Sequence, residues 1–232
     1  MQYQPHAYGW LMLGGIAVSV IFWSRLARRD ERLLLVYCGA LLGGFLGAKV
    51  VYFLADGYRH LGAPHQWLQL ATGKTILGGL LGGYLAVELA KRLVGYGGIT
   101  GDWFATIVPF AIILGRFGCW LHGCCAGRVC QPAWFTLNDS AGVARWPAVP
   151  VEIFFNAAMI VAFLFLRRAH KLPGQHFHLY LITYGLFRFA HEFLREEPRL
   201  FGPITGYQLA ALAVAALGVA CFARRARVVP LS

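Results

Sequence analysis

The feature that most constrains this fold is a series of apolar runs of about 17 to 22 residues, each followed by a short polar break. An α-helix needs about 20 apolar residues to cross the hydrocarbon core of a bilayer. The chain has seven such runs, at about 8–23, 33–54, 75–91, 103–122, 151–167, 176–194 and 206–222. We therefore predict an all-α integral membrane protein with seven transmembrane helices in a single domain, residues 1–232.

Composition supports this class, because 58% of the residues are hydrophobic and only 13% are charged. That leaves too little polar surface to cover a soluble globule. The net charge of +11 does not indicate nucleic-acid binding, because basic residues of membrane proteins gather in cytoplasmic loops.

Those basic residues also predict the orientation. Twelve lie on the side of the first loop, which contains Arg25, Arg28, Arg29 and Arg32, and six lie on the other side. The N-terminus is therefore expected outside and the C-terminus in the cytoplasm. The glycine-rich stretches 43–47 and 78–83 are expected where helices approach closely.

Three cations lie inside predicted helices that all run outward: Lys49, Arg116 and Arg188. Each lies about five to seven residues before the outer end, which places it roughly 8–10 Å below the boundary. Charges at that depth are costly unless they are paired or hydrated, so we predict a polar cavity open toward the outer leaflet. Guanidinium groups match a phosphate bidentately, and an anionic lipid supplies a phosphate at this depth.

A polar stripe runs along the sixth predicted helix, where Tyr184, Arg188, Glu192 and Arg195 recur at helical spacing on one face. Such a stripe must face the bundle interior. It either forms part of the site or holds helices together through an Arg188–Glu192 pair. Tyr8 and Glu152 begin other predicted helices on the outer side and belong to the same level.

Four cysteines, at 119, 124, 125 and 130, fall on the outward side, where disulfides can form. The sequence does not give their pairing. A zinc site formed by His122 with several of these cysteines is an alternative to disulfides. Their spacing lacks the paired C-x₂-C signature of such sites, so no metal ligand is predicted.

Two segments resemble the prolipoprotein diacylglyceryl transferase family of bacterial inner membranes. Residues 102–110 read DWFATIVPF and residues 115–128 read GRFGCWLHGCCAGR, which resemble the family pattern D-F-x-A-P-x-x-P…G-R-x-G-N-F-x-N-G-E-x-x-G-R. Residues 184–198 read YGLFRFAHEFLREEP and resemble Y-G-x-x-R-x-x-x-E-x-x-R-x-P. Lys49 stands where the family has the arginine of G-A-R.

The resemblance implies a transferase of the inner membrane that moves the diacylglyceryl group of phosphatidylglycerol onto a cysteine thiol of a secreted precursor protein. Glycerol phosphate would leave, no cofactor would be needed, and the two essential arginines would hold the lipid phosphate. The expected catalytic residues are Arg116, Arg188, Tyr184, Glu192 and His122, and the last three are alternatives for the base that accepts the proton of the incoming nucleophile. The expected substrate-binding residues are Tyr8, Lys49, Cys119, Cys124, Gly127, Glu152 and Arg195.

The chain departs from the family pattern on the acceptor side. The histidine of the family's H-G-G motif is Leu77, the first asparagine after G-R-x-G is Cys119, and the acidic residue of N-G-E is Cys124. Three alternatives to the family reaction therefore stay open. They are transfer to a different acceptor, a thiol-redox or metal-handling protein, and a noncatalytic lipid-binding protein.

Overall fold

The computed structural model describes residues 5–64 and 66–228, and within these ranges the side chains of residues 5–8, 11, 12 and 228 are not described. Most of the described chain is helical. The helices are α1 (Pro5–Ala27), α2 (Arg32–Ala55), a 3₁₀ turn (Gly57–His60), α3 (Gln66–Thr72), α4 (Ile76–Leu93), α5 (Gly101–His122), α6 (Ala148–Arg168), α7 (His176–Glu192) and α8 (Gly206–Val228).

Helices α2, α5, α6 and α8 are each long and apolar enough to cross a membrane. Helices α3 and α4 give a fifth candidate span if the pair, which is bent by 56°, is counted as one. The apolar part of α1 is shorter, at Leu13–Ala27, and α7 has 17 residues. The described chain is thus a multi-pass membrane protein with four or five helices that meet the length and apolarity of a span, where the sequence predicted seven.

The outer surface of the bundle is apolar. Leu42, Phe45 and Leu54 on α2 are exposed, as are Phe154 and Phe165 on α6. In water these side chains would form a large unfavourable surface, whereas in a bilayer they contact lipid chains at no cost.

Helices α2 and α4 pack with their backbones in close contact. A Cβ atom built on Gly43 would lie 2.6 Å from the carbonyl oxygen of Gly82, and one on Gly47 would lie 2.8 Å from the Cα of Gly82. Only glycine leaves room for this approach. The prediction that these glycine-rich stretches mark close helix packing is confirmed.

Helix α7 lies inside the bundle, packed against α5, α6 and α8. Its face toward the core carries Tyr180, Leu181 and Tyr184, which are fully buried. The rings of Tyr180 and Tyr184 stack with centroids 5.5 Å apart. This central position of α7 explains how its polar stripe reaches side chains from two other helices.

The long connections contain short strands that the sequence did not predict. Strands β1 (Leu137–Asn138) and β2 (Ala144–Arg145) pair antiparallel, and so do β3 (Arg199–Phe201) and β4 (Ile204–Thr205). Each hairpin turns at a glycine with positive φ, Gly142 at 77° and Gly202 at 53°. Strands of two or three residues have no periodicity that a sequence reading could detect.

Candidate active site

A buried carboxylate lies at the point where α5, α6 and α7 meet. Glu152, near the start of α6, is fully buried. Its Oε2 atom lies 2.9 Å from Nη2 of Arg116 on α5 and 3.8 Å from Nη1 of Arg188 on α7. Its Oε1 atom accepts a 2.7 Å hydrogen bond from the hydroxyl of Tyr184. One carboxylate on α6 therefore contacts three side chains from α5 and α7.

The polar stripe of α7 continues this network toward the end of the helix. Nη2 of Arg188 lies 2.8 Å from Oε2 of Glu192, which is 3.7 Å from Nε of Arg195. Nη2 of Arg195 in turn contacts Glu197 at 2.7 Å. Three guanidinium groups thus alternate with three carboxylates, which offsets much of the cost of burying charge.

Several nitrogens of these arginines remain without a hydrogen-bond acceptor in the described part of the chain. They are Nε of Arg116, Nε and Nη1 of Arg188, and Nε and Nη1 of Arg195. Buried donors are normally paired with an acceptor. Leaving one unpaired costs about 1–3 kcal/mol for a neutral group and more for a charged group such as a guanidinium. These N–H groups are available to the oxygens of an anionic ligand such as a phosphate.

A second polar layer lies next to Glu152 and was not predicted from the sequence. Asn156, one helical turn after Glu152, donates to the Glu152 carbonyl at 2.8 Å and accepts 2.7 Å from the hydroxyl of Tyr180. Both side chains are fully buried. Helical spacing could have indicated both residues. Tyr180 lies one turn before Tyr184 on the face of the stripe, and Asn156 lies one turn after Glu152.

His191 is a further buried polar side chain beside this network. Its Nε2 accepts a 3.2 Å hydrogen bond from the indole N–H of Trp146, and its ring stacks on Phe187 with centroids 5.0 Å apart. These contacts fix the ring. Its contacts with Trp146 and Phe187 support a positioning function.

The end of α5 brings the cysteine-rich segment back over the arginines. Gly123 has φ 71°, the left-handed conformation that ends many helices, and the backbone N–H of Cys124 bonds the carbonyl of Cys119 at 3.1 Å. The Sγ atoms of Cys119, Cys124 and Cys125 lie within 4.8 Å of one another. All six cysteines of the chain are free thiols in this structure.

Gly127 ties this segment to the end of α7. It forms an antiparallel bridge with Arg195, and the N–H of Arg128 bonds the carbonyl of Leu194 at 2.9 Å. A Cβ atom on Gly127 would lie 2.7 Å from the Cβ of Trp146 and closer still to the Trp146 carbonyl. Gly127 therefore helps to fix the position of Arg195 through backbone pairing rather than through a side chain.

An exposed loop next to the site is held by charge. Nε of Arg145 donates to Asp139 at 2.6 Å, and its Nη1 donates to Glu196 at 2.6 Å. The hydrogen bond from Arg145 is the main reason that the pKa of Asp139 lies below its usual value, and the N–H of Val143 adds to it. The Arg145–Glu196 ion pair connects the β1–β2 hairpin to the segment that carries Glu197.

Lys49 is a predicted site residue whose described contacts lie outside this network. The Nζ of Lys49 donates to the carbonyls of Leu70, at 3.0 Å, and Ala71, at the end of α3. His122 is the half-buried last residue of α5. Tyr8 lies in α1, but its side chain is outside the described residues. Leu77, at the family's histidine position, is buried in the apolar core.

Known proteins resemble this chain over most of its length. The profile of the family described as "Prolipoprotein diacylglyceryl transferase" matches residues 1–224. Three relatives are each named phosphatidylglycerol–prolipoprotein diacylglyceryl transferase. The protein of Methylocella silvestris is 31% identical, over an alignment that covers 96% of this chain and 87% of that protein.

The relative from Solidesulfovibrio magneticus is 30% identical, covering 94% of this chain and 89% of that protein. The relative from Clostridium tetani is 27% identical, covering 84% of this chain and 82% of that protein. The family profile and the two relatives at 30% identity or above lead to one conclusion. This chain belongs to the prolipoprotein diacylglyceryl transferase family.

Proposed function

We propose that this protein transfers the diacylglyceryl group of phosphatidylglycerol to the thiol of a prolipoprotein cysteine at the outer face of the bacterial inner membrane. The family match and the names of the relatives support the reaction. One structural observation supports its location: Arg116 and Arg188, from two helices, converge on Glu152 with N–H groups left for a phosphate.

In this proposal the two arginines bind the phosphate of the lipid and stabilise the departing group. The acceptor thiolate forms a C–S bond to the glyceryl carbon that carries the phosphate oxygen. The C–O bond breaks, and glycerol phosphate leaves with the bonding electrons. Fixed guanidinium groups in a site of low dielectric stabilise this charge well, and such stabilisation is commonly the largest catalytic contribution.

The thiol must lose a proton, and we assign that proton to Glu192. Its Oε1 has no hydrogen-bond donor in the described part of the chain. Tyr184 is a weaker candidate because its hydroxyl already donates to Glu152. His122 remains the other candidate base. A rate–pH profile of Glu192→Gln against His122→Ala separates the two, because only loss of the base removes the rising limb.

For the membrane arrangement we propose one domain with seven spans, formed by α1, α2, α4, α5, α6, α7 and α8, while α3 lies at the outer boundary. The distribution of basic loops supports an outer N-terminus and a cytoplasmic C-terminus. The site network would then face a polar cavity that opens to the outer leaflet. The comparisons give no support to a redox protein, a metal-handling protein or another acceptor as the main function.

The test is a transfer assay with full-length protein in nanodiscs, phosphatidylglycerol labelled in its diacylglyceryl group, and a peptide with one lipobox cysteine. Label is expected on the peptide and not on a Cys→Ser peptide. Arg116→Ala and Arg188→Ala should each lower the rate by at least about 100-fold. Arg59→Ala is the matched control, because this arginine is on the same side but donates to the Arg199 carbonyl. Unchanged transfer in both site variants, with both still folded, would refute the phosphate role.

A further inference from the structure

The three sulphur atoms at the end of α5 form a cluster that the proposed transfer reaction does not use. Cys119 lies in the last turn of the helix, and the left-handed turn at Gly123 reverses the chain so that Cys124 and Cys125 return to it. All three Sγ atoms lie within 4.8 Å of one another. The fourth outward cysteine, Cys130, is not part of this group, and its thiol points to the carbonyl of Ala144 at 3.9 Å.

The backbone holds this arrangement in place. Cys125 has φ 61°, which is uncommon for a residue with a side chain. The residues just after Cys125 contact the end of α7. Gly127 forms a bridge with Arg195, and the N–H of Arg128 donates to the carbonyl of Leu194 at 2.9 Å. A conformation that costs about 1–3 kcal/mol persists only where its surroundings fix it, and such residues concentrate at functional sites.

A cysteine binds a metal ion as the thiolate, so binding at this cluster would release the thiol protons. Cys119 lies three residues after Arg116 on α5, which places a guanidinium charge one helical turn away. That positive charge would offset part of the negative charge of a metal–thiolate complex.

The ligand type selects the metal. Thiolates are soft ligands that prefer Cu(I), Zn²⁺ or iron–sulphur clusters over hard cations. Zn²⁺ is nearly always four-coordinate, whereas the group found in the described chain offers three sulphurs and no histidine or carboxylate. Three-coordinate, all-sulphur binding suits a monovalent d¹⁰ ion.

We propose that Cys119, Cys124 and Cys125 form a three-thiolate binding site for a soft monovalent metal ion, with Cu(I) as its occupant. This site adds to the transfer reaction and does not depend on it. Its first ligand, Cys119, lies on α5 one turn from Arg116, so a bound ion would be adjacent to the proposed phosphate site.

The experiment is an anaerobic competition titration. Full-length protein in detergent, reduced with a phosphine and freed of metal, is mixed with Cu(I) and the chromogenic chelator bicinchoninate. One Cu(I) per chain is expected, and X-ray absorption should report a shell of three sulphurs. Cys119→Ser, Cys124→Ser and Cys125→Ser should each weaken binding by more than about 100-fold, beyond the 10–100-fold typical of outer-shell changes.

Two kinds of control make the result specific. Cys130→Ser and Cys38→Ser should bind Cu(I) like the unmodified protein, because neither sulphur is in the cluster. Arg188→Ala should keep the copper site while it loses transfer, so failure of the copper proposal and failure of the transfer proposal give different results.

The proposal is wrong if the reduced protein loses all Cu(I) to the chelator, or if Cys130→Ser lowers affinity as much as Cys124→Ser. It is also wrong if Zn²⁺ binds with four ligands and displaces Cu(I). A disulfide within the cluster that mass spectrometry finds in isolated protein, together with no copper binding after reduction, would assign these thiols to redox pairing instead.

Discussion

Oε2 of Glu152 lies 2.9 Å from Nη2 of Arg116, and this ion pair joins α6 to α5 at a point where both side chains are buried. Arg188 approaches the same oxygen from α7 at 3.8 Å. Among the described residues, Glu152 is the carboxylate that contacts both arginines of the proposed phosphate site, and its removal gives the first prediction.

Glu152→Gln should destabilise the protein by about 3–5 kcal/mol, because it leaves the buried guanidinium of Arg116 without its carboxylate partner, whereas Arg188 keeps Glu192. An anionic lipid phosphate can replace part of the lost charge. The melting temperature of the variant should therefore rise more on addition of phosphatidylglycerol than that of the unmodified protein.

Glu88→Gln is the control for this experiment, because Glu88 pairs with Lys91 at 3.4 Å in a half-exposed position on α4. It should change the melting temperature little, since exposed ion pairs contribute about 0–1 kcal/mol. Equal effects of the lipid on both variants would contradict a phosphate site beside Glu152.

Tyr184→Phe should lower both stability and transfer. The variant loses a 2.7 Å hydrogen bond to a carboxylate, and such bonds contribute about 1.5–3 kcal/mol. A transition-state loss of about 1.4 kcal/mol would reduce the rate about tenfold. Tyr180→Phe is the matched control, because this neighbouring buried tyrosine bonds only the neutral Asn156. A rate loss of the same size in both variants would argue against a specific role for Tyr184.

Gly127→Ala should destabilise the outer end of the site by about 1–3 kcal/mol, because the added methyl group meets Trp146. The displaced backbone should move Arg195 and raise KM for the lipid. Gly97→Ala is the control, since nothing lies within 4 Å of the added atom. Thermal melting and initial rates over a range of lipid concentrations test both variants. An unchanged KM in Gly127→Ala would show that Arg195 does not depend on this bridge.

The hairpin formed by β1 and β2 should open in acid. The pKa of Asp139 is lower in the folded protein than in the unfolded chain, mainly through its bond to Arg145. Its stabilising effect is therefore complete above the unfolded value of about 3.9 and is lost as the pH falls through the lower folded value. The hydrogen-exchange protection factors of residues 137–145, which correct for the intrinsic pH dependence of amide exchange, should fall on acidification from about pH 5 to pH 3. In Asp139→Asn the protection should be low throughout, and a pH step of equal size there would assign the effect to another group.

Lys49→Gln tests a residue that the sequence assigned to substrate binding. Because its Nζ group donates to the last carbonyls of α3, the variant should lose about 0.3–1 kcal/mol of stability with little change in KM for the lipid. A clear rise in KM for the lipid in Lys49→Gln would instead support the role expected from the sequence.

Part of the site could be predicted because it depends on local periodicity. The steps of four, four and three from Tyr184 to Arg195 place these side chains on one face of a helix, wherever that helix packs. Depth along a helix is also local, which is why Arg116 and Arg188 were expected at one level and do meet the same carboxylate. Lys49 lies at a similar depth, yet its side chain points toward α3. The depth of a residue along a helix does not say how that helix is rotated about its own axis.

The sequence by itself determined that this chain is a helical membrane protein, where its glycines allow close packing, and which polar residues share a face. Apolar length, small side chains and helical spacing decide these properties within one segment. Only the tertiary structure decided that Glu152 pairs with both arginines, that Asn156 and Tyr180 extend the network, and that three sulphurs converge after Gly123. Those contacts join residues far apart in the chain, and they depend on how helices rotate against each other and how loops return, which no local pattern specifies.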